Sequence, residues 1–322
     1  MARRLITSLA AVVVLGGLAG TPSASADGLP VPGVVTPSGG LLGPSGERYV
    51  TKSHHGQTTV RRFGSGGDVR SRTFPGSYTI PAVALDGSPA GVSTAGGTLV
   101  LITPRRSFPQ SQTHLLVLDA HTLRISQRLT LAGDFSFDAV SPDGSRMYLI
   151  QYVAPHDPTR YAVRAYDLRS GTLLPDPIVD PDEHAGEMRG YPITRITSSD
   201  GRWAYTLYDG GGKEPFVHAL DTADGKAVCV DLDGLVSPSD VQRLQLGMSS
   251  DGGELTLSTP RRTVAVIDTA TLEASAPPVP KSSNDGTGGI PWVLIAIAAA
   301  LGLGAGGAII AARHRRASDL AT

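Results

Sequence analysis

A single cysteine, Cys229, stands in a chain of 322 residues, so no disulfide can form within one copy. Asparagine occurs once, at Asn284, and lysine only four times among 28 basic residues, a bias of G+C-rich bacterial coding that says nothing about mechanism. Neither sign of charge dominates. The net charge of −1 leaves no electrostatic footprint for nucleic acid. Aromatics make up 5% of the chain, and tryptophan is confined to Trp203 and Trp292. The chemical motifs are missing too. There is no nucleophile elbow, no Walker loop and no dinucleotide fingerprint, and Gly210-Gly211-Gly212-Lys213 reads as a hairpin tip without the helix that a phosphate loop needs.

What the sequence does hold is a repeat. Turn-like segments rich in Ser, Asp and Gly begin at Thr36, Ser93, Ser141, Ser198 and Ser249, at intervals of 48 to 57 residues. A second landmark, an apolar run ending in Asp, follows at Asp119, Asp167, Asp221 and Asp268. Two landmarks in step mark a structural repeat. Asp-Gly and Gly-Gly between alternating apolar runs supply the positive φ of tight hairpin turns, so each copy reads as antiparallel strands. The stretch from Leu115 to Ile150 reads as four short strands making one small sheet. Such a sheet cannot bury both faces alone, and radial stacking of copies protects the edges. The expected fold class is all-β, a β-propeller of four-stranded blades.

The pattern VAVID, TL, SPDG and YL resembles the WD-repeat-like and YVTN-type propeller families over roughly residues 33 to 280. The resemblance implies a fold, whereas propeller blades host many unrelated activities. Ring closure also has a sequence reading. The copy from Thr263 to Val279 shows two strands and no later turn, and Val34 to Val50 shows a turn and strands with no Asp-ending strand before them. Joined, they make one blade and a ring of five. Four blades with decorations, or six with a degenerate copy between Arg61 and Pro89, fit the same repeat.

The termini read as an address. Arg3 and Arg4, the apolar run Leu5 to Ala19 and Ala24-Ser25-Ala26 form a secretory signal peptide over residues 1–26. Residues 290–312 are 23 positions without a charge, long enough to cross the hydrocarbon core, with Trp292 at one interface and Arg313, Arg315 and Arg316 after the other end. Between them lie the propeller, 27–276, and a Pro/Ser/Gly tether, 277–289; a short tail, 313–322, follows. The predicted location is the cell membrane, single-pass type I, with the propeller extracytoplasmic.

Candidate chemistry is sparse. Cys229 sits in an apolar strand and reads as a buried small hydrophobe. The recurrent Asp residues read as turn caps that accept backbone N–H bonds. His54 and His55 are adjacent and point to opposite faces of a strand, the other histidines lack ligand spacing, and the acidic loop Asp180 to Glu187 lacks the pattern of a calcium loop. Neither a metal nor a cofactor is expected. Loops entering inner strands ring the channel mouth of a propeller, which nominates Phe135, Phe137, Asp138, Glu187, Arg189, Tyr191, Arg195, Gln242 and Arg243 as binding residues. The sequence therefore predicts a non-catalytic binding or scaffold module for a protein or polar ligand at the cell surface. The alternatives are a hydrolase or lyase using acid and Arg residues at the mouth, or a sensor signalling through a membrane partner.

Overall fold

The computed structural model describes residues 39–182 and 187–278. The leader, most of the tether, the apolar run 290–312 and the tail lie outside them, as do Glu183 and His184. Five antiparallel sheets follow one another along the described chain, and apart from one short strand in the third, strands adjacent in sequence are adjacent in each sheet. The first comprises β1 (Leu41–Leu42), β2 (Arg48–His54), β3 (Gln57–Phe63) and β4 (Val69–Pro75). The second comprises β5 (Thr98–Ile102), β6 (Gln112–Asp119) and β7 (Ile125–Ala132), extended inward by a single bridge from Val92 to Leu99. In the third are β8 (Phe135–Val140), β9 (Arg146–Tyr152), β10 (Arg160–Asp167) and β11 (Thr172–Ile178), with β12 (Met188–Arg189) also pairing β10. The fourth holds β13 (Pro192–Thr197), β14 (Trp203–Tyr208), β15 (Phe216–Asp221) and β16 (Lys226–Asp231). A short 3-10 turn, Val241–Arg243, leads into the fifth: β17 (Gln245–Met248), β18 (Glu254–Ser258), β19 (Thr263–Asp268) and β20 (Ala274–Ser275).

The sheets pack face to face in chain order. In β5 and β6 every side chain is apolar through the middle, because both faces are covered: Leu99, Leu101, Leu116 and Leu118 meet Tyr49, Val60 and Phe74 of the first sheet. On the opposite face Val100, Ile102, Leu115 and Val117 meet Phe135, Phe137, Met147 and Leu149 of the third. Tyr148 and Ala165 then meet Ala204 and Leu220, and Tyr205, Leu207 and Val217 meet Leu255, Leu257 and Ile267. Inner strands of four sheets converge, since Leu41, Val92, Asp138 and Arg195 all line one cup of about 290 Å³. Successive four-stranded meanders splayed about a shared centre are the architecture of a β-propeller.

Two expectations about the strands are corrected. The stretch Leu115 to Ile150 does contain four strands, but β6 and β7 belong to the second sheet, and β8 and β9 to the third. The break falls at Gly133, whose φ of 110° turns the chain from an outer strand to the next inner one. Ring closure by shared strands is also absent among the described residues. β1 and β2 pair with β3 and β4, while β18 and β19 find β17 and β20, so the first and fifth sheets are each contiguous. Arg61 to Pro75 belongs to the first sheet and hides no further copy.

The turns behave as read from sequence. Asp119, Asp167, Asp221 and Asp268 each accept backbone N–H bonds from the following turn, at 2.7 to 3.1 Å. In the other turn the Ser141, Ser198 and Ser249 hydroxyls donate to Asp143, Asp200 and Asp251 and accept the N–H five residues on. Gly144 (φ 70°) admits no side chain, because a Cβ there would lie 2.2 Å from Thr98 Oγ1 of the preceding sheet.

A hairpin absent from the sequence reading crosses between sheets. Between the first and second sheets the chain turns back at Asp86-Gly87, with Ala82 bridged to Pro89. Its tip reaches the fourth sheet: Leu85 N–H donates to Pro192 O at 2.8 Å and Asp86 N–H to Ile193 O at 3.2 Å. Ala82 and Ala84 are fully buried. Small residues are needed where a ribbon crosses between converging inner strands.

Leu99→Ala, at a fully buried position between the first two sheets, should lower stability by about 2–5 kcal/mol. Leu42→Ala, at an exposed position, should change it by less than about 0.5 kcal/mol. Denaturant unfolding of both variants checks the packing order.

Candidate functional site

The structure disperses the nine residues nominated from the sequence. Phe135 and Phe137 are 1% exposed and pack in the core between the second and third sheets, which removes them from any channel mouth. Gln242 and Arg243 are exposed on and beside the short turn before β17, lining a separate shallow cavity with Leu85 and Asp86. Tyr191 is half-buried against the core between the fourth and fifth sheets, and its N–H donates to Asp209 Oδ1 at 2.7 Å.

Asp138 and Arg195 are brought together on the wall of the central cup, and they bind each other. Arg195 Nη1 donates to Asp138 Oδ1 at 2.5 Å and to Thr206 Oγ1 at 2.9 Å, and Nη2 donates to the Asp138 carbonyl at 3.2 Å. Both side chains are 4% exposed. Each charge satisfies the other in a low-dielectric setting, where loss of one partner would strand the second. A pair so engaged fastens the third sheet to the fourth.

Arg195 also begins a polar row across the fourth sheet. Register places Arg195 opposite Thr206, Thr206 opposite His218 and His218 opposite Cys229, so four side chains on one face run from the inner strand to the outer edge. His218 is 1% exposed, and burial holds its imidazole down to about 4. Asp138 opposes that shift and Arg195 adds to it. Cys229 Sγ lies 4.0 Å from His218 Nδ1, and Asp180 Oδ2 accepts the Cys229 N–H at 2.6 Å. Asp180 thereby caps the exposed edge of β16 with a carboxylate.

This outer end of the row opens into a cavity of about 390 Å³ between the third and fourth sheets. Its apolar lining is Val179, Met188, Phe216 and Cys229. Around it stand Asp180, Glu187, Glu214, Asp231 and Asp233, against two cations, Arg189 and Lys213. Glu187 accepts from Arg160 Nε and Nη2 at 3.0 and 2.6 Å. Among the described residues no ion pair engages Glu214, Asp231 or Asp233. Gly190 (φ 113°) is required at the cavity's edge, since a Cβ there would sit 2.7 Å from Asp209 Oδ1. An apolar floor with surplus carboxylate suits a ligand with an apolar body and a cationic end. No cluster of three or more His, Cys, Asp or Glu with metal-holding geometry occurs among the described residues.

Glu187 and Arg189, then, are the nominated residues that reach this cavity. Glu214, Phe216, Asp231 and Asp233 were not nominated. The available signal was Asp231-Leu232-Asp233, two acids on either side of a buried Leu, just past the outer strand.

The buried imidazole fixes a pH dependence. His218 binds a proton in the unfolded chain below about pH 6.5 but in the folded protein only near 4. The unfolded state thus holds more protons in that window, and stability falls as pH drops from about 6.5 to 4. His218→Gln should flatten this limb of a melting-temperature profile whatever its starting value.

No protein-family model and no curated protein matches the sequence. Among solved structures, the chain is similar to Kuenenia stuttgartiensis hydrazine synthase at 15% identity, covering 71% of this chain and 70% of that one, with a TM-score of 0.42. It is similar also to a putative TolB from Agrobacterium tumefaciens, at 13% identity over 73% of this chain and 78% of that one, TM-score 0.42. The Dos1 propeller matches at 13% identity over 77% of this chain and 64% of its own length, TM-score 0.41. Likeness of this degree assigns no activity and no ligand.

Proposed function

We propose that the chain is a non-catalytic binding module, exported and held at the cell membrane by residues 290–312, that takes a cationic ligand in the cavity between the third and fourth sheets. The observation that carries this reading is the lining: three carboxylates that enter no ion pair among the described residues, Glu214, Asp231 and Asp233, stand around Phe216 and Met188. A lysine or arginine side chain at a peptide terminus has the matching chemistry, an apolar stem and a charged head. The leader and the charge-flanked apolar run support the address.

A short peptide ending in arginine, titrated calorimetrically into the full-length chain, should bind with an affinity that falls as salt rises. The triple variant Glu214→Gln, Asp231→Asn, Asp233→Asn should bind at least about tenfold more weakly at an unchanged melting temperature. Equal affinity in the variant, or preference for an acidic peptide, would refute the site. A reporter fused after Thr322 should be active only in the cytoplasm; activity outside would refute the orientation.

A further inference from the structure

The two ends of the sheet series are unlike the middle. In the first sheet, Tyr49, Thr58, Val60 and Phe74 face the second sheet and are buried. The opposite face carries Arg48, Phe63 and Val69 in one row, Val50, Arg61 and Ser71 in the next, and Lys52, Thr59 and Thr73 in the third. Of these, Val50, Thr59 and Phe63 are half-buried and the rest exposed, Val69 to 54%. Arg61 lies over the Phe63 ring at 4.8 Å. That face holds three cations and no carboxylate.

The fifth sheet mirrors it. Leu255, Leu257, Ala265 and Ile267 face the fourth sheet. The far face carries the row Glu254 and Asp268, the row Gly247, Thr256, Val266 and Ser275, and the row Gln245, Ser258 and Thr263. Only Val266 of these is buried. That face holds two carboxylates and no cation, and among the described residues no apolar cluster joins it to the first sheet.

The geometry points to head-to-tail association, in which the first sheet of one copy stacks on the fifth sheet of a second. Arg48 opens the second strand of its sheet, as Glu254 opens the second strand of the fifth, and each pairs with the end of the third strand, Phe63 and Asp268. Stacked in the same sense as the four junctions within the chain, the cation row meets the carboxylate row. Val50 and Arg61 then come to the row of small residues around Val266. A contact of this kind is heterologous, so each copy keeps one free end and longer rows can grow.

Sedimentation velocity of the full-length chain in detergent tests this. The wild type should show dimers and longer species that increase with concentration and recede as salt is raised. Arg48→Glu alone and Glu254→Arg alone should each weaken association by at least about tenfold. An equimolar mixture of the two should restore association, because the intact ends of the two variants match and their two reversed ends also carry opposite charges. In it the Arg48→Glu copy offers an intact fifth sheet and the Glu254→Arg copy an intact first. Arg48→Gln and Glu254→Gln should give smaller losses in the same direction, which guards against misfolding of the reversed variants. A wild type that stays monomeric overturns the inference. So does a mixture that stays monomeric, or a Glu254→Arg chain that associates like the wild type.

Discussion

A β-sheet has two faces, and whether each is apolar decides everything else about this protein. The second and third sheets are apolar on both faces, so they must be sandwiched, and their strands read as unbroken hydrophobic runs such as LLVL and MYLI. The first and fifth are apolar on one face only, and their strands alternate, as in β2 and β18. From that single difference follow the order of packing, the convergence of inner strands on a common centre and the two exposed end faces.

The junction between the third and fourth sheets departs from the rule. Its apolar contacts fall into two separate clusters, one of four alanines with Tyr148 and Leu220 and one around Tyr161 and Tyr208, and the row from Arg195 to Cys229 puts polar groups where the other junctions have leucine and valine. The buried ion pair holds the inner end of that row and Asp180 accepts the Cys229 N–H at the outer end, while Asp138 Oδ2, Arg195 Nε and His218 Nε2 find no hydrogen-bond partner among the described residues. A junction of this composition leaves room at its periphery, and the room is the acidic cavity. At the centre the crossing hairpin lines one wall of the cup with Pro89 to Val92.

Much of this was legible in the sequence. The repeat, the hairpin turns and the capping role of Asp119, Asp167, Asp221 and Asp268 are local, and local hydrogen bonding fixed them. The phase of the repeat was not local. Leu115 to Ile150 divides between two sheets, because β6 is apolar on both faces while β7 alternates, the mark of an outer strand. Strands are not shared between the two ends because each sheet already holds four consecutive strands of its own, β1 to β4 and β17 to β20. Loop position alone puts Phe135 and Phe137 at a mouth, yet two aromatics at alternate positions of an inner strand are the signature of a packed face. The cavity assembles from parts of the chain some fifty residues apart, and its charge is a sum over separate loops that no single motif displays.

The most direct measurement is hydrogen exchange of the full-length chain, followed by mass spectrometry, with and without the arginine-ended peptide. The account predicts added protection confined to segments carrying Met188, Phe216 and Cys229 to Asp233, with the inner strands around Asp138 and Thr197 unchanged. Protection centred on the inner strands instead, with none at Phe216 or Asp231, would contradict it and return recognition to the axis.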